Sequence, residues 1–207
     1  MTTLIGQRGG TALDLIELIQ RKAPEYLDLL TSESEDAFDE AFDALLEKAV
    51  IHLESNKRNY ANLDEVALSS ILAAHMTIPG LTVSQEKHSN GHVDLIFEAD
   101  HCTPARRKLG EAKIYGGPVY HLKGLSQLLD RYTTGREGRG LLIVYFKKQS
   151  VSQLVQKLRE HMDQNLPLDQ QGATAGHTLK WSFLSVHAHS CGENLQVGHV
   201  GCNLYVE

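Results

Sequence analysis

The pattern of apolar and polar positions predicts an α-helical first quarter followed by alternating α and β elements. Leu13, Ile16 and Ile19, with Leu15 and Leu18, recur at helical spacing behind Thr11, whose hydroxyl suits a helix cap. Pro24 interrupts that helix. After a polar break at residues 32–36, Phe38, Phe42, Leu45, Leu46, Val50 and Leu53 form the inward side of a second amphipathic helix. Residues 56–60 read as a link. Val66, Leu68, Ile71 and Leu72 predict a third helix over 63–76, with Asn62 as its cap and Asp64 and Glu65 in the first turn, where the helix dipole favours acids.

The texture changes after Pro79-Gly80. Residues 81–85 predict a short strand, Asn90-Gly91 a hairpin turn, and 92–97 an alternating strand. Residues 109–115 predict a third strand closed by Gly116-Gly117-Pro118, and 122–132 a helix. The apolar run 141–146 reads as a strand covered on both faces. A helix near 151–163 and a β region over 181–186 and 195–206 complete the chain. From residue 63 the order is α-β-β-β-α-β, which predicts an α/β fold of the mixed, α+β type around a small sheet. The expected division is an acidic helical extension over 1–60, packed on a domain over 61–207.

The composition is ordinary for a globular protein. The 207 residues are 42% hydrophobic and 22% charged, and no apolar run is long enough for a membrane span. Three cysteines without a Cys-x-x-Cys pair, and an N-terminus unlike a signal peptide, predict free thiols in a cytoplasmic protein. The net charge of −6 argues against coating nucleic acid by bulk positive charge.

Charged residues rarely occupy short core strands unless they are paired or bind a metal. Asp94 lies within one strand pattern, and Glu111 and Lys113 lie two apart on the next, sharing a face. An Asp and a Glu on neighbouring strands can hold a divalent cation, and Mg²⁺ favours few carboxylates together with water and phosphate oxygens. The Lys113 ammonium can then orient a water or stabilise charge at phosphorus. The competing bland reading is an exposed edge-strand ion pair with Asp94 in a turn.

Gly91-His-Val-Asp94-Leu-Ile-Phe followed by Gly110-Glu111-Ala-Lys113, a helix and an apolar strand resembles the PD-(D/E)XK, or restriction endonuclease-like, nuclease superfamily over about residues 63–148. The resemblance implies that fold core and an Mg²⁺-dependent endodeoxyribonuclease, with Mn²⁺ as a substitute. It implies metal ligation by Asp94 and Glu111 with support from Glu65, the best match to the family's first-helix acid with Asp64 as the near alternative, and a catalytic role for Lys113 and Gln127. The bland alternative for Glu65 is a charge satisfying the helix dipole; for Gln127 it is a solvated helix face. Tyr132 falls one residue beyond the step that related exonuclease-like members show after the glutamine. Stand-alone nucleases of this kind resemble parts of restriction or anti-phage defence systems. That context leaves open a homodimer or larger homo-oligomer and a regulatory partner protein. A silent nucleic-acid- or partner-binding adaptor on the same fold, and an RNase or structure-specific nuclease, are the competing functions.

Between Pro104 and Lys148 there are ten basic and three acidic residues, so this segment carries +7 and the rest of the chain −13. Arg106, Arg107, Lys108, Arg131, Arg136 and Arg139 are therefore the expected phosphate contacts on DNA. Near the C-terminus, His187, His189 and Cys191 share a strand face, with His199 and Cys202 beyond. Their spacing matches no usual zinc pattern, and incidental histidines on a hairpin are the expected reading. His92 is expected near the site because it lies two residues from Asp94.

Overall fold

The computed structural model describes residues 10–87, 93–131 and 138–207. The chain forms two compact units, Met1–Leu46 and Glu47–Glu207. The boundary falls inside one helix, α3 (Glu35–Ser55).

The first unit holds α1 (Ala12–Lys22), α2 (Pro24–Thr31) and the start of α3. Thr11 caps α1 reciprocally. Its hydroxyl accepts the Asp14 amide at 3.1 Å, and its own amide donates to the Asp14 carboxylate at 2.6 Å. Pro24 takes the first position of α2, where no amide hydrogen is needed, and Ala23 leaves helical geometry. Phe38, Phe42, Leu45 and Leu46 are buried as their spacing predicts. Helix α1 buries none of its residues, so Leu13, Leu15, Ile16 and Leu18 stand exposed.

The second unit is built on a seven-stranded mixed sheet, ordered β1-β2-β3-β4-β7-β6-β5. The strands are β1 (Thr82–Lys87), β2 (Val93–Ala99), β3 (Arg106–Ile114), β4 (Gly140–Phe146), β5 (Ala175–Gly176), β6 (Phe183–Ala188) and β7 (Asn194–Asn203). The central strands β3, β4 and β7 run parallel, and antiparallel strands extend the sheet on both sides. Every residue of β4 is buried, as its unbroken apolar run predicts.

Helices α4 (Lys57–Tyr60), α5 (Glu65–Met76), α6 (Pro118–Leu129) and α7 (Val151–Asn165) complete the unit. From α5 onward the order is α-β-β-β-α-β. Alternation along β4 assigns the two faces. Leu142, Val144 and Phe146 pack with Leu125 and Leu128 of α6 and with Val155, Leu158 and Met162 of α7. Tyr145 points the other way, to α5, where its hydroxyl meets Ser69 Oγ at 3.1 Å.

Several boundaries differ from the expectation, among them the start of β3 at Arg106 and the added strand β5. Helix α5 starts one residue after Asp64, not Asn62, because the Asp64 carboxylate accepts the Ala67 amide at 2.8 Å. Residues expected as a link contain the short α4. Helix α6 starts at Pro118, which the hydrophobic spacing places only as a strand terminator. Gly117, at φ 114°, turns the chain there, and proline then fits the first helical position. The three cysteines are free, and no helix among the described residues is long and apolar enough to cross a membrane.

Gly201 of β7 packs directly under Trp181. An added Cβ would collide with the Trp181 carbonyl oxygen and sit 3.0 Å from its Cβ. Gly201→Ala is expected to lower stability by about 1–3 kcal/mol, the usual range for overpacking. A fall in the urea midpoint at unchanged slope would show this, and an unchanged midpoint would refute it.

Candidate active site

The centre of the site is a carboxylate without solvent exposure. Glu111 lies on β3, is 0% exposed, and faces α6 between two cations. Lys113 Nζ pairs closely with Glu111 Oε1, and Arg131 Nη1 donates to Glu111 Oε2 at 2.6 Å. Lys113 is itself only 1% exposed. A strand brings the pair together because residues two apart share a face. Burial pushes the Glu111 carboxyl up to about 7. Lys113 opposes that shift by hydrogen bonding and by charge, and Glu65 adds to it.

Glu65 reaches this pair from the first turn of α5. Its Oε1 is 3.6 Å from Lys113 Nζ, and its Oε2 accepts the Ile114 amide at 2.8 Å. Glu65 therefore holds both the end of β3 and the lysine, beyond a charge on the helix dipole. Asp94 stands directly opposite Glu111 in the antiparallel β2–β3 register.

Helix α6 supplies the lid over the lysine. Gly124 presses on the Lys113 stem, and a Cβ there would sit 2.8 Å from Lys113 Cγ and 3.2 Å from its Cε. Gln127, half-buried, follows Gly124 by three residues and so projects from the same side of the helix. Gly124 went unassigned in the sequence, although an interior helical glycine costs stability and asks for a packing reason.

The basic residues expected to contact phosphates are scattered. Arg131, just beyond α6, joins the site, with its side chain 26% exposed. Arg107 is exposed on the Glu111 face of β3. Arg106 and Lys108 fall on the opposite face by alternation, and Lys108 is 2% exposed opposite Phe97. Lys108 therefore does not offer its ammonium to a surface ligand. Arg139, half-buried, precedes β4 near Gly198. His92, Tyr132 and Arg136 lie outside the described residues.

The same sheet face carries a second polar cluster, which joins His187 and His199 of the expected C-terminal set to His121 and Ser185. His121 Nε2 meets His199 Nδ1 at 2.8 Å, and His199 Nε2 meets Ser185 Oγ at 2.7 Å. Ser185 Oγ meets His187 Nε2 at 2.8 Å, and His187 Nδ1 meets the Leu168 carbonyl at 2.9 Å. The carbonyl can only accept, which fixes the polarity of the chain. With each ring neutral, His187 Nδ1 donates, Ser185 donates to His187 Nε2, His199 Nε2 donates to Ser185, and His121 Nε2 donates to His199. His121 Nδ1 is then a bare acceptor, which agrees with its burial without a hydrogen-bond partner among the described residues. The expected C-terminal set is thus divided: His187 and His199 join this chain, His189 meets Cys191 in an exposed turn at 3.0 Å, and Cys202 is buried apart from them. Among the described residues no three His, Cys, Asp or Glu side chains form a group that could hold a metal ion.

Glu111 remains the donor best suited to a hard cation. Its oxygens already face two positive groups, and an acidic position lies opposite it. Carboxylate oxygen is the donor type that hard cations such as Mg²⁺ and Mn²⁺ prefer. No protein-family model matches the chain, and no curated protein matches it as a relative.

The histidine chain makes stability depend on pH. Burial lowers His121 to about 3, lowers His199 well below the usual histidine value, and lowers His187. A depressed folded value means that the unfolded chain protonates first, near pH 6.5 for ordinary histidine. Stability from these groups is therefore complete above that pH and is lost as pH falls. Glu111 acts oppositely, because its raised value lets the folded state take one proton near 7. Three histidines against one carboxylate leave a net uptake of protons on unfolding as pH falls through the ordinary histidine range. The urea midpoint is expected to drop between pH 8 and pH 5, and a constant midpoint would contradict the neutral chain.

Proposed function

We propose that this protein is a metal-dependent nuclease that hydrolyses DNA phosphodiester bonds. The observation that carries the reading is the Glu111–Lys113 pair, buried side by side on β3 with the Asp94 position directly opposite. Opposite residues on antiparallel strands share a face, so Asp94 and Glu111 are the proposed ligand pair. The α-β-β-β-α-β order supports a restriction endonuclease-like core, and the Asp, Glu-x-Lys and Gln pattern supports the same family. Placement in a restriction or anti-phage defence system rests on the motif resemblance alone. The exposed leucines of α1 leave a surface on which a second copy or a regulatory partner would pack.

A divalent cation held by Asp94 and Glu111 would polarise the phosphate and lower the pKa of water. The chain's own groups supply the rest. Lys113 places an ammonium beside Glu111, where it orients the attacking water and offsets charge developing at phosphorus. Glu65 and the Gly124 contact restrict the lysine from two sides. Gln127 orients the nucleophile or the phosphate from the α6 side. Arg107 and Arg131 are the basic residues placed to meet the backbone from the Glu111 face.

Alanine at Glu111 would leave two buried or half-buried cations without their carboxylate, a loss of about 3–5 kcal/mol. Shape-preserving variants separate chemistry from folding. Wild-type protein is expected to nick plasmid DNA with Mg²⁺ and to stop on addition of EDTA. Glu111→Gln and Lys113→Met are expected to lose activity by about a hundredfold or more while still unfolding cooperatively. Full cleavage in either variant sinks the site assignment. DNA binding without cutting would favour the adaptor, and cutting of RNA or branched DNA alone would favour the related nucleases.

Gly124→Ala tests the lysine clamp. The added methyl must displace the Lys113 stem, so activity should fall about tenfold or more while the far-UV circular dichroism stays native. Unchanged activity would show that the lysine tolerates the shift.

A further inference from the structure

Both oxygens of Glu111 are already engaged by cations, which raises the question of how a metal gains access. Lys113 engages Oε1, and Arg131 engages Oε2 at 2.6 Å. The two cations differ in freedom. The Lys113 side chain is 2% exposed and its stem is wedged against Gly124, so it has no space to retreat. The Arg131 side chain is 26% exposed and lies just past the end of α6, so it is the cation of the two that borders water.

Charge balance gives the same answer. Glu65, Glu111 and the Asp94 position against Lys113 and Arg131 leave one net negative charge, which a divalent cation alone would turn positive and which departure of Arg131 would then bring to zero. A divalent cation added without any loss would bring two positive charges beside two fixed ones in a buried place. Departure of the guanidinium relieves that repulsion, and a DNA phosphate is the natural acceptor for a released arginine fork.

We propose that Arg131 is a movable counter-ion: it holds Glu111 while the site lacks metal, is displaced by the divalent cation, and then binds a backbone phosphate of the DNA. This rests on the nuclease reading and adds a coupling to it. Because one side chain serves both ligands in turn, DNA and metal each strengthen the binding of the other. A metal ion alone must compete with the arginine, so the free protein binds it weakly.

The test reads metal occupancy rather than activity. Free Mn²⁺ is followed by electron paramagnetic resonance as wild type, Arg131→Gln and Arg131→Lys are titrated without DNA. Removing a charged hydrogen bond to Glu111 should tighten Mn²⁺ binding by roughly ten- to a hundredfold in Arg131→Gln. Arg131→Lys keeps the charge and should remain close to wild type. Arg131→Met replaces the glutamine variant if that variant does not fold. In a Lys113→Met background, which prevents cutting, an added duplex should tighten Mn²⁺ binding, and the further change Arg131→Gln should remove that effect. Equal or weaker Mn²⁺ binding in Arg131→Gln, or an unchanged duplex effect, overturns the proposal. If wild type nonetheless cleaves DNA with Mn²⁺, the nuclease reading survives that failure. If no variant binds Mn²⁺ and wild type does not cut, both fall together.

Discussion

A carboxylate cut off from water must be held by positive charge, and the arrangement around Glu111 follows from that need. The cost of burying an ion falls only when close partners replace its hydration. Lys113 answers from two positions along the same strand, and Arg131 from beyond the helix that covers them. The lysine then needs its own restraint, which Glu65 supplies from α5. Its stem needs room, which a glycine supplies in α6. Three elements are thus tied to one side chain.

The sheet carries a second solution to the same difficulty. The register places Glu111, Leu142, His199 and Phe183 in one row across β3, β4, β7 and β6. Leu142 separates an ionic cluster from a neutral one. In the first, the carboxyl is paired with cations although burial raises it to about 7. In the second, three buried histidines give up their charge and pass hydrogen bonds in one direction to a backbone carbonyl. Phe183 stacks on His199 with ring centroids 4.3 Å apart, which suits a neutral ring packed in an apolar layer. The two clusters respond to acid in opposite senses because one shields a carboxylate and the other shields imidazoles.

Much of this fold is legible in the sequence. The apolar run of β4 announced a strand covered on both sides, and Pro24 announced a helix break. Glu111 and Lys113 stood out because charge inside an apolar strand pattern is costly, and they form a buried pair. What stayed hidden depends on partners far apart in the chain. His121 and His199 are separated by 78 positions, so no local pattern could join them. Gly124 gains its meaning only when β3 lies beneath it. Lys108 misled because a count of charges along a segment ignores which face of a strand each one occupies. The boundary at Pro118 was missed for a local reason: a proline can end one element and begin the next.

The fate of Lys108 changes the argument about charge. The basic segment looked like a strong attraction for phosphate within a chain of net charge −6. Several of its cations are spent inside the protein. Lys113 and Arg131 neutralise Glu111, Lys108 is buried, and Lys147 donates to the carbonyls of Ala61 and Leu63, where it joins the end of β4 to the chain entering α5. Phosphate binding by release of counterions scales with the number of cations that reach the backbone, not with the number in the segment. In the proposed nuclease, contacts made at the site itself would add to that attraction, and Arg131, which pairs with Glu111, would tie DNA affinity to the state of that carboxylate.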